Sequence, residues 1–462
     1  MGAQGKCDNT NYSLLQHSVA KRELSSMLAG KGFPNRNLRR DEMAEIVSLA
    51  AADLKIDGKR VLIIIPDGTR TMPMPLMFEI LQQEFGARAS ACDYLVALGT
   101  HPPMRDVQLS AHIGKPVING RCGNARIFNH RWDLPSTFIE LGVIAKDDVV
   151  RISGGLLEEL IPVRINRVIF DYDQVVICGP VFPHEVVGFS GGNKYLFPGI
   201  GGPEIIGLTH WLGALIGSFE VIGTETTPVR EIIDKAAELV KVPVSCFSLV
   251  VTQEGVSGLF FGDAKEAWRA AAELSSQKHI VWVRQPFQRV LSVMPALYDD
   301  VWTAAKGMYK VEPAVADGGE VVIYAPHISE VSYTHGADID KIGYHCREYF
   351  TKQWEKFKSV PRGVLAHSTH LRGKGTFDTA TGKEYPRIKV TLATGIPKDR
   401  CARLNLSYCD PASVNIDEWR NREDEGIKLI PRAGEILYRL RAAATGSLTR
   451  DASTTLHGAI YN

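Results

Sequence analysis

Between Val181 and Trp211 the chain sets two histidines, His184 and His210, one lysine, Lys194, and seven glycines. Imidazoles can move a proton near neutral pH or ligate a metal. A lysine amine can pair with an anion or, once neutral, act as a nucleophile. Glycine at this density costs chain entropy, and it marks backbone driven to positive φ or pressed close to a ligand. The run GFSGGNK, Gly188 to Lys194, therefore predicts a nest of backbone N–H groups turned toward one anion, with Lys194 at its end. It is not a Walker A loop. The second glycine of that pattern would fall on Asn193, and Tyr195 stands where Ser or Thr is required. Magnesium–nucleotide chemistry is disfavoured.

Upstream, Asp67, Thr69 and Arg70 lie in PDGTR and His101 lies in GTHPP. The elements that must hold them are short apolar strands, Val61 to Ile65 before the first and Tyr94 to Leu98 before the second. A third strand, Asp173 to Cys178, leads straight into His184. All of these side chains then sit at the carboxyl ends of strands, where open α/β sheets bind their ligands. Asp67 could cap the helix MPLMFEILQQEF that follows it. Arg70 suits an incoming carboxylate or phosphate better. Two prolines stiffen the loop at His101, which favours acid–base work over a solvated loop histidine. His210 sits on the predicted helix EIIGLTHWLGALIG, and RCGNARIFNHRW, with Cys122 and His130, reads as edge structure.

Length and composition bound the rest. At 462 residues the chain can form two or three domains with a substantial core. It is 45% hydrophobic and 23% charged, with a formal net charge of +1 and no dense basic stripe, so nucleic acid is not an expected partner. The eight cysteines form no CxxC pair and read as reduced, mostly buried thiols. The N-terminal MGAQGKCDNTNYS lacks the apolar core of a signal peptide, and Lys6 stands where a myristoylation pattern wants Ser or Thr. No apolar run is long enough to span a membrane, so a cytoplasmic location is expected.

The predicted architecture is α/β. An N-terminal domain, residues 1–288, carries a parallel sheet with flanking helices, beginning with a polar leader and the helix EMAEIVSLAAADLK. A smaller C-terminal α/β domain, 289–462, opens on the strand RVLSVMP, and the active site is expected in the cleft between them. Within the second domain YDDVWTAAKGMYKVEPAV predicts one helix with Thr303 and Lys306 on the same face, and a further helix holds Trp354. A strand then leads to the polar cluster His367, Ser368, His370 and Arg372, and GEILYRLRAAA is expected as a closing helix.

Taken together, DGTR-x-x-P (67–73), GTH-x-x-M (99–104), PH-x-x-x-GFSGG-x-K-x-x-x-PG (183–199), His210 and AKGM (305–308) resemble the lactate racemase family, the nickel-pincer-nucleotide enzymes. The likeness is strong over the N-terminal two thirds and weaker beyond. It implies that Lys194 holds a pyridinium-3-thioamide-5-thiocarboxylic acid mononucleotide covalently, that His210 is the protein ligand of its nickel, and that other enzymes synthesise and supply this cofactor. Thr69, Gly188, Ser190, Gly191 and Gly192 would bind the remainder of the nucleotide. His101 and His184 match two general bases facing opposite sides of the substrate carbon. Asp67 and Arg70 match residues near the reacting centre, Lys306 a carboxylate-binding residue and Trp354 a pocket tryptophan. Thr303 departs from the founding racemase, which has glutamine there. The implied reaction inverts the C2 carbinol centre of a small 2-hydroxy acid. The smaller Thr303 and the hydroxyl, imidazole and guanidinium groups of the 366–372 segment favour a polar acid, such as a sugar acid epimerised at C2, over lactate. The competing readings are a His-rich zinc hydrolase using His101, His184 and His210, and a non-catalytic carrier of the nickel cofactor.

Overall fold

The computed structural model describes residues 29–441. The polar leader, Cys7 and the last residues of the expected closing helix lie outside them. Eight strands form the larger sheet, in the order Ala29–Gly32, Gly255–Gly262, Val244–Thr252, Gln174–Pro180, Arg60–Pro66, Ala91–Ala97, Ala125–Asn129 and Arg121–Cys122. Its five central strands run parallel, and antiparallel pairs close both edges. The RVLIIIP and QVVICGP runs are buried on both faces, as continuous Val/Ile stretches in a covered parallel sheet must be. Because these neighbours are parallel, Pro66, Ala97 and Pro180 all end at one edge, and the chemical loops leave from there. RCGNARIFNHRW does lie at that sheet's margin.

A second, all-parallel sheet of five strands is ordered Ser407–Tyr408, Lys389–Thr394, Val315–Ala325, Phe287–Val293 and Ile427–Ile430. Each sheet has an apolar cluster of its own, and the two also share one. One apolar cluster runs from Leu62 and Ile177 of the first sheet through Leu208 and Leu212 to Val290, Val321 and Leu392 of the second. The helices Pro203–Ile216 and Arg362–Arg372 pack against each other across this junction.

Three local expectations are corrected. GEILYRL is not helical: Leu437–Leu440 is a strand, paired in parallel with Ile280–Val283 of the first half. Alternation of Leu437 (buried) with half-exposed Tyr438 suits a strand, and tertiary pairing overrides helix propensity. The segment leading to His370 is helix Arg362–Arg372, started after Pro361 and ended at Gly373 with φ +79°. The single helix expected around Thr303 is broken into Val301–Ala304, Lys306–Tyr309 and a 3₁₀ turn at Glu312–Ala314. Trp354 does lie on a helix, the short Trp354–Phe357. The seven cysteines among the described residues are free thiols, five of them buried. No helix among the described residues is long and apolar enough to cross a membrane.

Candidate active site

A cavity of about 710 Å³ opens at the carboxyl edge of the larger sheet and is closed from the other side by residues 302–309 and the helix Arg362–Arg372. Asp67, Arg70, His101, His184, Ser190, Gly191, Lys194, His210, Thr303 and Lys306 all line it. These residues come from the tips of three strands, one helix and the second half of the chain.

The tip of strand Arg60–Pro66 holds Asp67, which is buried. Its Oδ1 accepts from the Thr69 backbone N–H (3.0 Å) and hydroxyl (2.6 Å), and its Oδ2 lies 2.5 Å from His101 Nδ1. Burial alone would push this carboxyl up, but the His101 and Arg70 charges and the Thr69 hydrogen bonds outweigh it and hold Asp67 well below the usual carboxylate range. An anionic carboxylate only accepts, so His101 donates to it from Nδ1, and Nε2 is the ring nitrogen left for proton transfer. The His101 backbone is pinned by Trp132, whose indole N–H donates to His101 O at 2.8 Å. The preceding Gly99 N–H donates to Gly199 O at 2.9 Å, tying this loop to the turn that bears Lys194.

His184 has different surroundings. It sits in a two-residue hairpin strand opposite Gly188, with only 7% of its surface exposed. Burial first, then the Lys194 and Arg70 charges, push its pKa well below the ordinary histidine value, so it is neutral. Its Nδ1 lies 3.2 Å from the Val186 N–H and 3.3 Å from Glu185 Oε2. The first neighbour wants a lone pair there and the second a proton, so both tautomers have a partner.

Lys194 lies in a 3₁₀ turn, Gly192–Tyr195, and burial followed by the Arg70 charge brings its amine down to about 7. On helix Pro203–Ile216, His210 directs Nδ1 to Ile206 O at 2.7 Å, which places the proton there and leaves Nε2 with a lone pair. Burial and the Lys194 charge hold His210 at about 4. A half-neutral amine and a neutral imidazole with a free lone pair are the forms that a covalently tethered, metal-bearing group requires, so these residues fit the implied cofactor. Among the described residues no group of three or more His, Cys, Asp or Glu could hold a metal ion by itself, which leaves the zinc hydrolase reading without a ligand set.

Arg70 donates to Thr69 Oγ1 at 3.1 Å, and among the described residues no carboxylate lies within 4.0 Å of its guanidinium or of Lys306 Nζ. Lys306 lies 4.4 Å above the Tyr298 ring, and burial with the Arg70 charge pushes its pKa well down. Thr303 is less free than expected, since its hydroxyl donates to Asp300 Oδ1 at 2.8 Å and only its lone pairs remain.

Gly188, Gly191 and Gly192 have positive φ, but a Cβ on them would strike Thr224 O, Val181 and Trp268. The Ser190 N–H is engaged by Phe182 O, and the carbonyls of Phe189 and Gly191 accept from Arg230. The run therefore serves close packing and presents carbonyls to a cation, where a nest of free N–H groups was expected. Gly188 and Gly192 do not line the cavity, and Thr69 lines a smaller adjoining pocket. Trp354 is also outside the lining; it stacks on Trp211, ring centroids 5.8 Å apart. The lining tryptophans are Trp132 and Trp302. Sequence reasoning passed over Glu185, Tyr309, Lys310 and His335. The signal for Lys310, held at about 7 by burial, was its place one helical turn after Lys306 in an apolar stretch.

Comparison with known proteins bears on the family and the fold. A family model described as the lactate racemase N-terminal domain matches residues 43–219. A lactate racemase of Thermoanaerobacterium thermosaccharolyticum is 24% identical over 318 residues, covering 68% of this chain and 67% of that protein, so the chain spans about two thirds of that relative's length. The crystal structure of a Thermotoga maritima protein superposes with a TM-score of 0.80 at 33% identity, over 88% of this chain and 99% of that one. The lactate racemase apoprotein of T. thermosaccharolyticum shares the fold, with a TM-score of 0.67 at 19% identity over 87% and 93% of the two chains.

Proposed function

The chain belongs to the lactate racemase family, and on that premise we propose that it is an isomerase that inverts the C2 carbinol centre of a 2-hydroxy acid, a racemase or epimerase using a nickel-pincer nucleotide. The observation that carries this reading is the convergence of His101, His184, Lys194 and His210 on one cavity that also holds Arg70 and Lys306, both half-buried and with no carboxylate among the described residues within 4.0 Å. Two such cations favour a small carboxylate ligand and would fix it against rotation. Lys194 would hold the cofactor covalently and His210 would ligate its nickel through Nε2. When bound, that group supplies a reversible hydride acceptor, which the carbinol C–H requires because it is not acidic enough for a histidine to remove as a proton.

The protein's own part is proton transfer. His101 Nε2 takes the hydroxyl proton of one stereoisomer, and the Asp67 carboxylate stabilises the imidazolium that forms. His184 does the same for the other stereoisomer, with Glu185 as the nearest carboxylate. The cavity also has room for an acid larger than lactate, and Arg362, His367 and His370 among its lining residues favour a polar one.

The test is direct. Protein produced with nickel and the cofactor-synthesis enzymes should carry a mass adduct on Lys194, should interconvert stereoisomers of a 2-hydroxy acid, and should lose the adduct in Lys194→Ala. Active protein without an adduct would falsify the assignment. Loaded protein that exchanges no substrate hydrogen would instead be a cofactor carrier.

A further inference from the structure

His370 lies on helix Arg362–Arg372, is 3% exposed and lines the cavity, yet neither of its ring nitrogens has a hydrogen-bond partner. Its neighbours on the helix are committed elsewhere. His367 stacks on Trp302 at 3.9 Å and meets the Tyr344 hydroxyl through Nε2. Ser368 donates to Gly343 O, Thr369 to Ala366 O and Arg372 to Asn405 O. Burial holds His370 at about 4, so the ring is neutral and offers one N–H donor and one lone pair. Two open valences at a buried position call for a ligand that can both accept and donate.

A second group points the same way. Glu185 also lines the cavity, and its carboxylate can only accept. Its charge acts on His370 and helps raise the pKa of the Tyr309 phenol, whose ring lies edge-on to His370 at 6.5 Å. An apolar substrate tail would leave both His370 nitrogens unmatched, and a second carboxylate would face the Glu185 charge. Hydroxyls satisfy the donor, the lone pair and the carboxylate together.

We propose that His370 and Glu185 form a subsite for hydroxyl groups beyond C2, so that the preferred substrate is a polyhydroxylated 2-hydroxy acid. This rests on the reading of the cavity as a 2-hydroxy acid site. His370 is a specificity residue, distinct from the bases His101 and His184.

The experiment compares wild type, His370→Phe and His370→Asn, with a six-carbon aldonate and lactate as probes. In the cofactor-loaded enzyme, His370→Phe should lower the ratio of kcat/KM for aldonate over lactate by about tenfold or more, because each lost hydrogen bond leaves a hydroxyl unmatched. His370→Asn, which keeps a donor and an acceptor, should recover part of that ratio. In the cofactor-free protein, calorimetry should show aldonate binding weakened by His370→Phe. An unchanged ratio, or equal losses on both acids with no rescue by Asn, overturns the subsite while leaving the isomerase reading intact. His370-dependent aldonate binding without inversion of either acid upholds the subsite and sinks the isomerase reading. Absence of both binding and turnover of aldonate overturns the subsite.

Discussion

The Lys194 amine is the residue on which covalent loading would depend, and its environment sets when it can react. Burial and Arg70 bring it to about 7, well below the ordinary lysine value of 10.5. The neutral form therefore appears as pH rises through about 7. Competitive acylation read by mass spectrometry should give half-maximal reactivity of Lys194 near that pH, and Arg70→Gln should move the midpoint upward by removing the largest opposing charge. Asp67 acts through His101. Asp67→Asn removes the anion beside Nδ1, so turnover should fall by about 10²-fold or more with the Lys194 adduct retained, since general acid–base groups contribute about 10²- to 10⁴-fold. Loss of the adduct along with activity would mean that Asp67 serves loading instead.

At the scale of elements, the loops are held by buried neutral histidines outside the cavity lining. His130 follows strand Ala125–Asn129; its Nε2 lies 3.2 Å from Gly201 O and its Nδ1 3.1 Å from Asn166 Nδ2. The amide donates to Nδ1, so the proton is on Nε2, and the ring joins three segments just before helix Pro203–Ile216. Burial depresses this histidine from 6.5 to about 4. A depressed pKa means that the unfolded chain binds the proton first. The stability contributed is full above pH 6.5 and is lost as pH falls toward 4. Urea midpoints should drop over that window, and less steeply in His130→Gln. The parallel strands that carry these loops were legible because a Val/Ile run bounded by Gly and Pro has few other homes. The tips bearing Asp67, His101 and His184 followed from them. What was not legible came from long-range partners. Leu437–Leu440 becomes a strand only because Ile280–Val283 offers it an edge. The role of His370 needed the knowledge that Ser368 and Arg372, a few positions away, point elsewhere.

For the whole molecule, the shared core argues against independent halves. Leu437–Leu440 returns to the first half, and Lys310 Nζ donates to Glu435 O at 2.8 Å beside that return. Residues of both sheets belong to one apolar cluster. Denaturant unfolding followed by tryptophan fluorescence and by far-ultraviolet circular dichroism should therefore give coincident single transitions, whereas two separated transitions would show that each half stands alone.

The unlike settings of His101 and His184 have a thermodynamic corollary. One imidazole has an anion 2.5 Å away; the other is more deeply buried, with its carboxylate at 3.3 Å and the Lys194 and Arg70 charges opposing its protonation. An acid whose only stereocentre is C2, such as lactate, has mirror-image forms of equal free energy, so for that probe the interconversion has an equilibrium constant of one whatever the catalyst. Both directions must then share a single kcat/KM, and any difference in turnover between the two hands must reappear as the same factor in KM.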